Sequence, residues 1–303
     1  MNNKYLISIV GPTAIGKTAL SIKLAKYYNT EIISCDSRQF FKEMTIGTAV
    51  PEPDELVATQ HHFIQNISIT ENYSVGTFER EAINKLNELF IKHDTVIMVG
   101  GSGLYVNAVI NGLDDFPKID TSIRENLTQR LEKEGIESLQ KQLKELDPVS
   151  YEKIAIDNPQ RLSRALEICI GSGKPYSSFL NKKDSKRNFT PISIGLTADR
   201  ALMYNRINQR VDIMMEKGLL NEVKSLYKYK TLNALNTVGY KELFKFLDGE
   251  WNLDFAVSEI KKNTRRFSKR QITWFKRDES TKWFDYLYNL NDIIEYINNK
   301  RGH

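Results

Sequence analysis

The chain has 303 residues, enough for a sizeable core and one or two domains. Hydrophobic residues make up 41% and charged ones 27%, which excludes a disordered chain, and no apolar run approaches the ~18 residues needed to span a bilayer. The net charge of +5 is mild and informative only if clustered, and the two cysteines, Cys35 and Cys169, are too few for a disulfide framework or a Cys-based zinc site, so a reducing, cytoplasmic setting fits.

The N-terminus runs straight from Met-Asn-Asn-Lys into Tyr5-Leu-Ile-Ser-Ile-Val10, so no signal peptide is expected and a buried strand is. The next eight residues, Gly11, Pro12, Thr13, Ala14, Ile15, Gly16, Lys17 and Thr18, match G-x-x-x-x-G-K-[ST], the phosphate-binding loop. Gly11 and Gly16 permit backbone conformations that a side chain obstructs. Successive N–H groups can then converge on phosphate oxygens at the start of a helix, Ala19 to Tyr28, whose dipole adds to the attraction. Lys17 supplies a full charge, and the Thr18 hydroxyl is a ligand for Mg²⁺. Leu20, Leu24 and Tyr27/Tyr28 are expected on the helix's apolar side.

Glu31-Ile-Ile-Ser-Cys35 reads as a second strand ending in Asp36-Ser37-Arg38-Gln39. Working residues of open α/β sheets collect beyond the carboxyl ends of strands. Asp36 is therefore a candidate general base or a water-mediated Mg²⁺ ligand; an Asp-Ser pair is also an ordinary helix N-cap. Residues 42–78 read as irregular. They contain His61-His62, which cannot share one face of a helix or strand and have no further ligand at metal spacing, so packing and hydrogen bonding are their expected roles. Thr77 to Lys92 is an amphipathic helix burying Phe78, Ala82, Leu86 and Leu89/Phe90.

Thr95-Val-Ile-Met-Val99 is a third strand, followed by Gly100-Gly-Ser-Gly103. A nucleotide hydrolase of the usual kind ends such a strand in a Mg²⁺-binding Asp. Here the glycines suit close approach of a ligand to backbone, or a tight turn. From about 120 to 182 the chain is charged and helical, and reads as a helical domain inserted into the core. Its most apolar helix, Leu162 to Ile170, begins at Gln160-Arg161-Leu162-Ser163-Arg164, with Arg161 and Arg164 on one face. Pro191 to Leu196 returns to the sheet as a fourth strand. The helix from Arg200 to Met215 carries Arg206 and Arg210 four apart, a pair that suits a diphosphate or a solvated surface equally. Lys261 to Arg277 holds eight positive charges and no acid, with Phe267, Trp274 and Phe275 interleaved. Like charges four apart cost helix stability. A polyanion would offset that cost, which points to nucleic acid over a merely solvated helix.

Across almost its whole length the chain resembles the tRNA dimethylallyltransferases. The resemblance rests on the phosphate loop, Asp36-Ser-Arg-Gln39, Ile46-Gly-Thr-Ala49, His61-His62, Tyr73-Ser-Val75 and Val99-Gly-Gly-Ser-Gly-Leu-Tyr105. It extends through Asp157, Gln160-Arg-Leu-Ser-Arg-Ala-Leu-Glu167, Val238-Gly-Tyr-Lys-Glu242 and Lys269-Arg-Gln-Ile-Thr-Trp274. It implies a P-loop NTPase-like parallel sheet (residues 1–115 and 189–303) with an inserted all-helical, tRNA-binding domain (116–188). It also implies a Mg²⁺-dependent transfer of the dimethylallyl group of dimethylallyl diphosphate to N6 of adenosine 37, beside the tRNA anticodon. On this reading Lys17, Thr18, Asp36 and Arg210 serve the chemistry. The tRNA anticodon stem-loop meets Asp36, Ser37, Arg38, Gln39, Ser102, Arg124, Gln160, Arg161, Leu162, Ser163, Arg164, Arg265, Arg266, Lys269 and Arg270. Ser102 stands where the family commonly has Thr, Arg38 and Phe40-Phe41 vary the segment after Asp36-Ser37, and the zinc finger of eukaryotic relatives is absent. A cytoplasmic monomer without membrane contact is expected. The alternatives are a prenyltransferase of free adenine nucleotides and a small-molecule P-loop kinase; a GTPase-like RNA-binding module lacks its Asn-Lys-x-Asp stretch.

Overall fold

The computed structural model describes residues 3–180 and 186–302. The first part of the core runs β1 (Tyr5–Val10), α1 (Lys17–Tyr27), β2 (Ile32–Ser34), α2 (Pro53–Ala58), β3 (His61–His62), α3 (Val75–Lys92), β4 (Thr95–Val99) and α4 (Gly103–Asn111). Four helices follow: α5 (Thr121–Glu134), α6 (Ile136–Leu146), α7 (Pro148–Lys153) and α8 (Pro159–Ser172). The core resumes with β5 (Thr190–Thr197), α9 (Arg200–Glu216), α10 (Leu219–Leu226), α11 (Tyr240–Leu247), α12 (Leu253–Phe275), β6 (Lys282–Asp285) and α13 (Leu290–Arg301).

The strands form one parallel sheet in the order β3-β2-β4-β1-β5-β6, the expected P-loop NTPase-like architecture. β1 is central, and its residues alternate between two cores. Leu6 and Val10 pack with Val96, Met98 and Ile33 under α3, α11 and α12. Ile7 and Ile9 pack with Ile97, Ile192 and Ile194 under α1, α9 and α13. A strand buried on both faces reads as a continuous apolar run, which is why β1, β4 and β5 are legible in sequence. The edge strands β3 and β6 are not: a two-residue His-His strand and Lys-Trp-Phe-Asp offer no such run. Residues 42–78 are thus less irregular than expected, holding α2, β3 and the start of α3. Tyr27, assigned to the apolar side of α1, is exposed.

Two compact units result, one of residues 1–110 and 187–303, the other of residues 111–186. The insert begins and ends a few residues before the expected 116 and 188, and residues 181–182 of the expected helical stretch lie outside the described residues. Its own core is Leu127, Leu139, Leu143, Leu162, Ala165, Leu166 and Cys169. Asn158 caps α8 by accepting the Gln160 and Arg161 N–H groups at 3.1 and 3.2 Å. The Asp147 carboxylate, buried at the start of α7, accepts from Ser150 and Ser177 through both backbone and hydroxyl.

The carboxyl ends of the central strands approach so closely that side chains cannot fit between them. A Cβ at Gly100 would lie 2.1 Å from the Cys35 carbonyl oxygen, and one at Gly11 2.7 Å from that of Leu196. Gly100→Ala should therefore force β2 and β4 apart and destabilise the protein by about 1–3 kcal/mol, as core overpacking does. An unchanged urea midpoint would show that the backbone yields freely there.

Candidate active site

The loop after β1 takes the conformation its glycines permit. Gly11 and Gly16 have φ of 141° and 107°, and Ala14 is held left-handed at 63°, a conformation that costs a residue with a Cβ. Gly16 caps α1 without a side chain, so no side chain occupies the free N–H groups of the first helical turn. The Lys17 ammonium folds back to donate to the Pro12 carbonyl at 2.7 Å, leaving two donors for a ligand. Burial lowers the Lys17 pKa to about 8, the nearby Asp36 carboxylate opposes that fall, and Arg210 deepens it.

β2 delivers Asp36 to the same place. Residues 37–40 form a turn, not a helix, so Asp36 is no helix cap; its Oδ1 accepts the Arg38 N–H at 3.2 Å. From the other side, α9 brings two arginines. Arg206 donates to the Ala14 carbonyl at 2.9 Å and lies over the Tyr286 ring. Arg210, one turn on, faces Asp36; burial lowers its pKa and Asp36 opposes that. Its guanidinium makes no hydrogen bond or ion pair with any described residue.

Two cavities meet here. The first, about 700 Å³, is lined by residues 13–18 of the loop, Asp36, Gln39, Arg206 and Arg210. The second, about 580 Å³, is lined by Asp36, Ser37, Arg38, Ser102, Arg210, Phe267, Arg270 and Trp274. Thr13, Asp36, Thr48, Arg210 and Met214 line both. The catalytic candidates Lys17, Thr18, Asp36 and Arg210 are thus brought together. Gly11 and Pro12 are buried and line neither cavity.

Several residues expected at the RNA are also held by hydrogen bonds within the protein. Arg38 donates to the carbonyls of Asn233 and Ala234 at 3.0 and 2.9 Å. The Gln39 amide donates to the Thr48 and Ala49 carbonyls and accepts from Ser34. Ser102 accepts the Ser37 N–H and donates to its hydroxyl, both at 3.0 Å. Leu162 is wholly buried in the helical unit, so its assignment to RNA is corrected. In that unit Glu167 pairs with Arg124 at 2.7 Å and Arg164 at 3.0 Å, while Gln160 and Arg161 are exposed and Ser163 is half-buried.

The basic helix α12 is narrower in charge than its sequence implies. Lys261 pairs with Asp212 at 2.5 Å, Lys262 with Glu259, and Arg265 donates to Asn208 at 2.7 Å. Arg266, Lys269 and Arg270 remain exposed, and of the four expected contacts Arg270 alone lines either of these two cavities. Phe275 belongs to the core, whereas Phe267 and Trp274 line the second cavity. The glycines after β4 serve packing: Cβ atoms at Gly101 and Gly103 would lie 2.3 Å from Gln271 and 2.2 Å from Trp274.

Two residues escape sequence reasoning. Glu222, at the start of α10, accepts the N–H groups of Thr45, Ile46 and Gly47 and the Tyr240 hydroxyl, all at 2.6–3.0 Å, fixing the segment that carries Thr48 over the cavities. Gln271 joins the phosphate loop to the Gly100–Gly103 turn. Gln271 lies inside the Lys269-Arg-Gln-Ile-Thr-Trp274 segment that carries the family resemblance, but nothing in that segment marks it as a strut, and Glu222 lies in none of the segments that carry it. His61 and His62, by contrast, keep the roles expected of them: Nδ1 of His61 bonds the Thr59 carbonyl and His62 pairs with Glu31.

A sequence model of the IPP transferase family matches residues 39–278. The tRNA dimethylallyltransferase of Flavobacterium johnsoniae is 64% identical, covering 97% of each chain, and that of Christiangramia forsetii is 62% identical over 98% of this chain and 99% of the other. Among solved structures, the full-length tRNA isopentenylpyrophosphate transferase of Bacillus halodurans matches with a TM-score of 0.74 at 36% identity, covering 99% of this chain and 97% of that one. A eukaryotic dimethylallyltransferase acting on tRNA gives 0.79 at 27% identity over 94% of this chain and 74% of that one.

The lowered Lys17 pKa gives a signed prediction. Between about pH 8 and the ordinary lysine range near 10.5, free Lys17 is increasingly neutral, so an anion must bring a proton with it. Affinity for inorganic diphosphate, divided by that of Lys17→Arg to cancel the ligand's own titration, should be constant below about pH 8 and fall above it. A ratio that stays flat to about pH 10 would mean that Lys17 keeps its charge throughout.

Proposed function

The chain belongs to the IPP transferase family, and from that premise we propose that it transfers the dimethylallyl group of dimethylallyl diphosphate to N6 of adenosine 37 in tRNA, in the cytoplasm. The observation that carries this reading is the meeting of two cavities at one carboxylate. The phosphate loop lines one, aromatic and basic residues of α12 line the other, and Asp36 and Arg210 line both. The first suits an allylic diphosphate and the second a base extruded from a single-stranded loop, where unstacking costs little.

The reaction breaks the bond between carbon 1 of the allyl group and the diphosphate oxygen, and forms one between that carbon and N6. Lys17, Arg210 and the loop N–H groups stabilise the charge that gathers on the departing diphosphate. Asp36 orients the amine and takes the proton that N6 must lose. For Mg²⁺, the protein offers the Thr18 hydroxyl and the Asp36 carboxylate; no group of three or more His, Cys, Asp or Glu side chains suited to a metal exists among the described residues. Such a sparse donor set fits Mg²⁺, which keeps several waters and shares phosphate oxygens. When bound, the ion would neutralise diphosphate charge. No helix among the described residues is long and apolar enough to cross a membrane.

The direct test is incubation with dimethylallyl diphosphate, Mg²⁺ and an anticodon stem-loop carrying adenosine 37, followed by mass analysis of the RNA. Product with AMP in place of RNA would favour a free-nucleotide prenyltransferase, and ATP turnover driven by a small acceptor would favour a kinase.

Asp36→Asn should lower kcat by about 10²–10⁴, the usual range for a general base, and leave tRNA affinity nearly unchanged, because affinity comes mainly from phosphate contacts. Recovery at raised Mg²⁺ would instead mark Asp36 as a metal ligand through water. On the RNA side, Arg266→Ala, Lys269→Ala and Arg270→Ala together should flatten the log–log salt dependence of binding by about two units. An unchanged slope would return α12 to ordinary solvated surface.

A further inference from the structure

Gln271 is the only described side chain that bonds both loops at the centre of the site. It sits among the exposed cations of α12 yet is itself buried. Its Oε1 accepts the Thr13 N–H of the phosphate loop at 2.9 Å, and its Nε2 donates to the Gly101 carbonyl at 2.9 Å. The amide orientation follows from its partners, since an N–H can only donate and a carbonyl only accept.

Each contact constrains something the reaction needs. Thr13 lines both cavities, and with its N–H turned toward Gln271 the phosphate loop presents the N–H groups that follow. Gly101 lies against Asp36: a Cβ there would fall 3.9 Å from Asp36 Oδ2, and 2.3 Å from Gln271 Nε2. The missing side chain at Gly101 is the space the amide occupies. A basic surface helix has no need of a buried amide matched to two loops; a helix that must hold a phosphate site and a base at fixed separation does.

We propose that Gln271 is a positioning residue of the transfer reaction, an amide clamp that fixes the phosphate loop relative to the Gly100–Gly103 turn and so to Asp36. The proposal rests on the functional reading above. It distinguishes two roles on α12: the exposed cations act on RNA, and Gln271, in the wall of the second cavity, ties that wall to the phosphate loop.

The test pairs Gln271→Met, which keeps length and removes both hydrogen bonds, with Gly101→Ala, which displaces the amide while leaving Gln271 in place. Inorganic diphosphate affinity is measured by calorimetry, the KM for dimethylallyl diphosphate and kcat in the transfer assay, and stem-loop affinity at two salt concentrations. Folded fraction is checked by circular dichroism. Freeing the Thr13 N–H, and with it the loop, from the Gln271 acceptor should weaken diphosphate roughly tenfold or more. The salt dependence of stem-loop binding, which phosphate contacts set, should stay at the unmodified level. Because both substitutions disable the same amide clamp, the double variant should lose little more than either alone. Additive losses, losses that only track the folded fraction, or unmodified diphosphate affinity in both folded variants would overturn the proposal. An unmodified protein that neither binds diphosphate nor alters the RNA would instead overturn the functional reading on which it stands.

Discussion

Two cations face one carboxylate at the centre of this molecule. Burial lowers the proton affinity of both, Arg210 deepens the fall at Lys17, and Asp36 opposes it at each, joined by Glu55 at Arg210. The site therefore carries an excess of positive charge that an anion can neutralise. Burying such an excess costs folding free energy unless the surroundings hold the groups apart and hydrated. The loop, Arg206 of α9 and the Asp36 turn are fixed by hydrogen bonds to backbone, which supplies that rigidity without adding acids.

The sheet makes the arrangement possible. β1 at the centre sends its carboxyl end into the phosphate loop, β2 ends at Asp36, and β4 ends in the turn that receives α12. These ends converge only because Gly11 and Gly100 let backbone meet backbone. α9 and α12 pack on the same end of the sheet, one presenting Arg206 and Arg210 and the other Gln271 and Trp274. Each helix thus divides its faces between core packing and the site. The like charges along α12 lose part of their mutual repulsion to Asp212 and Glu259.

What the sequence made legible was what repeats locally. The apolar runs of β1, β4 and β5, the 3.6-residue period of α3 and the eight-residue phosphate loop each carry their signal within one window. Asp36 was legible because the end of a strand is itself a local position. Gln271 and Glu222 were not, because each acts through partners far away in the chain: Thr13 lies 258 residues from Gln271, and Thr45 177 residues from Glu222. No composition or spacing marks a lone amide or carboxylate as a strut. The same limit explains the misassignment of Leu162. A motif read as a unit takes in the apolar residue that turns inward on the helix along with the arginines that turn outward. The three glycines after β4 were read as admitting a ligand close to the backbone or as a tight turn; what stands against them is the protein's own Cys35, Gln271 and Trp274.

The absence of an acid at the end of β4 has a steric cause as well as a chemical one. In a nucleotide hydrolase that position holds the Asp that binds Mg²⁺. Here any side chain at Gly100 would meet the Cys35 carbonyl at 2.1 Å, and Cys35 is the residue that delivers Asp36. With this packing, β4 cannot carry a side chain at its tip beside the β2 backbone that leads into Asp36. One carboxylate is retained, on β2, where it faces both cavities and not the phosphate loop alone. A loop that elsewhere serves nucleotide hydrolysis is thereby left with its anion-binding half intact and its hydrolytic half displaced. What remains suits departure of a diphosphate from carbon more than attack of water on phosphorus.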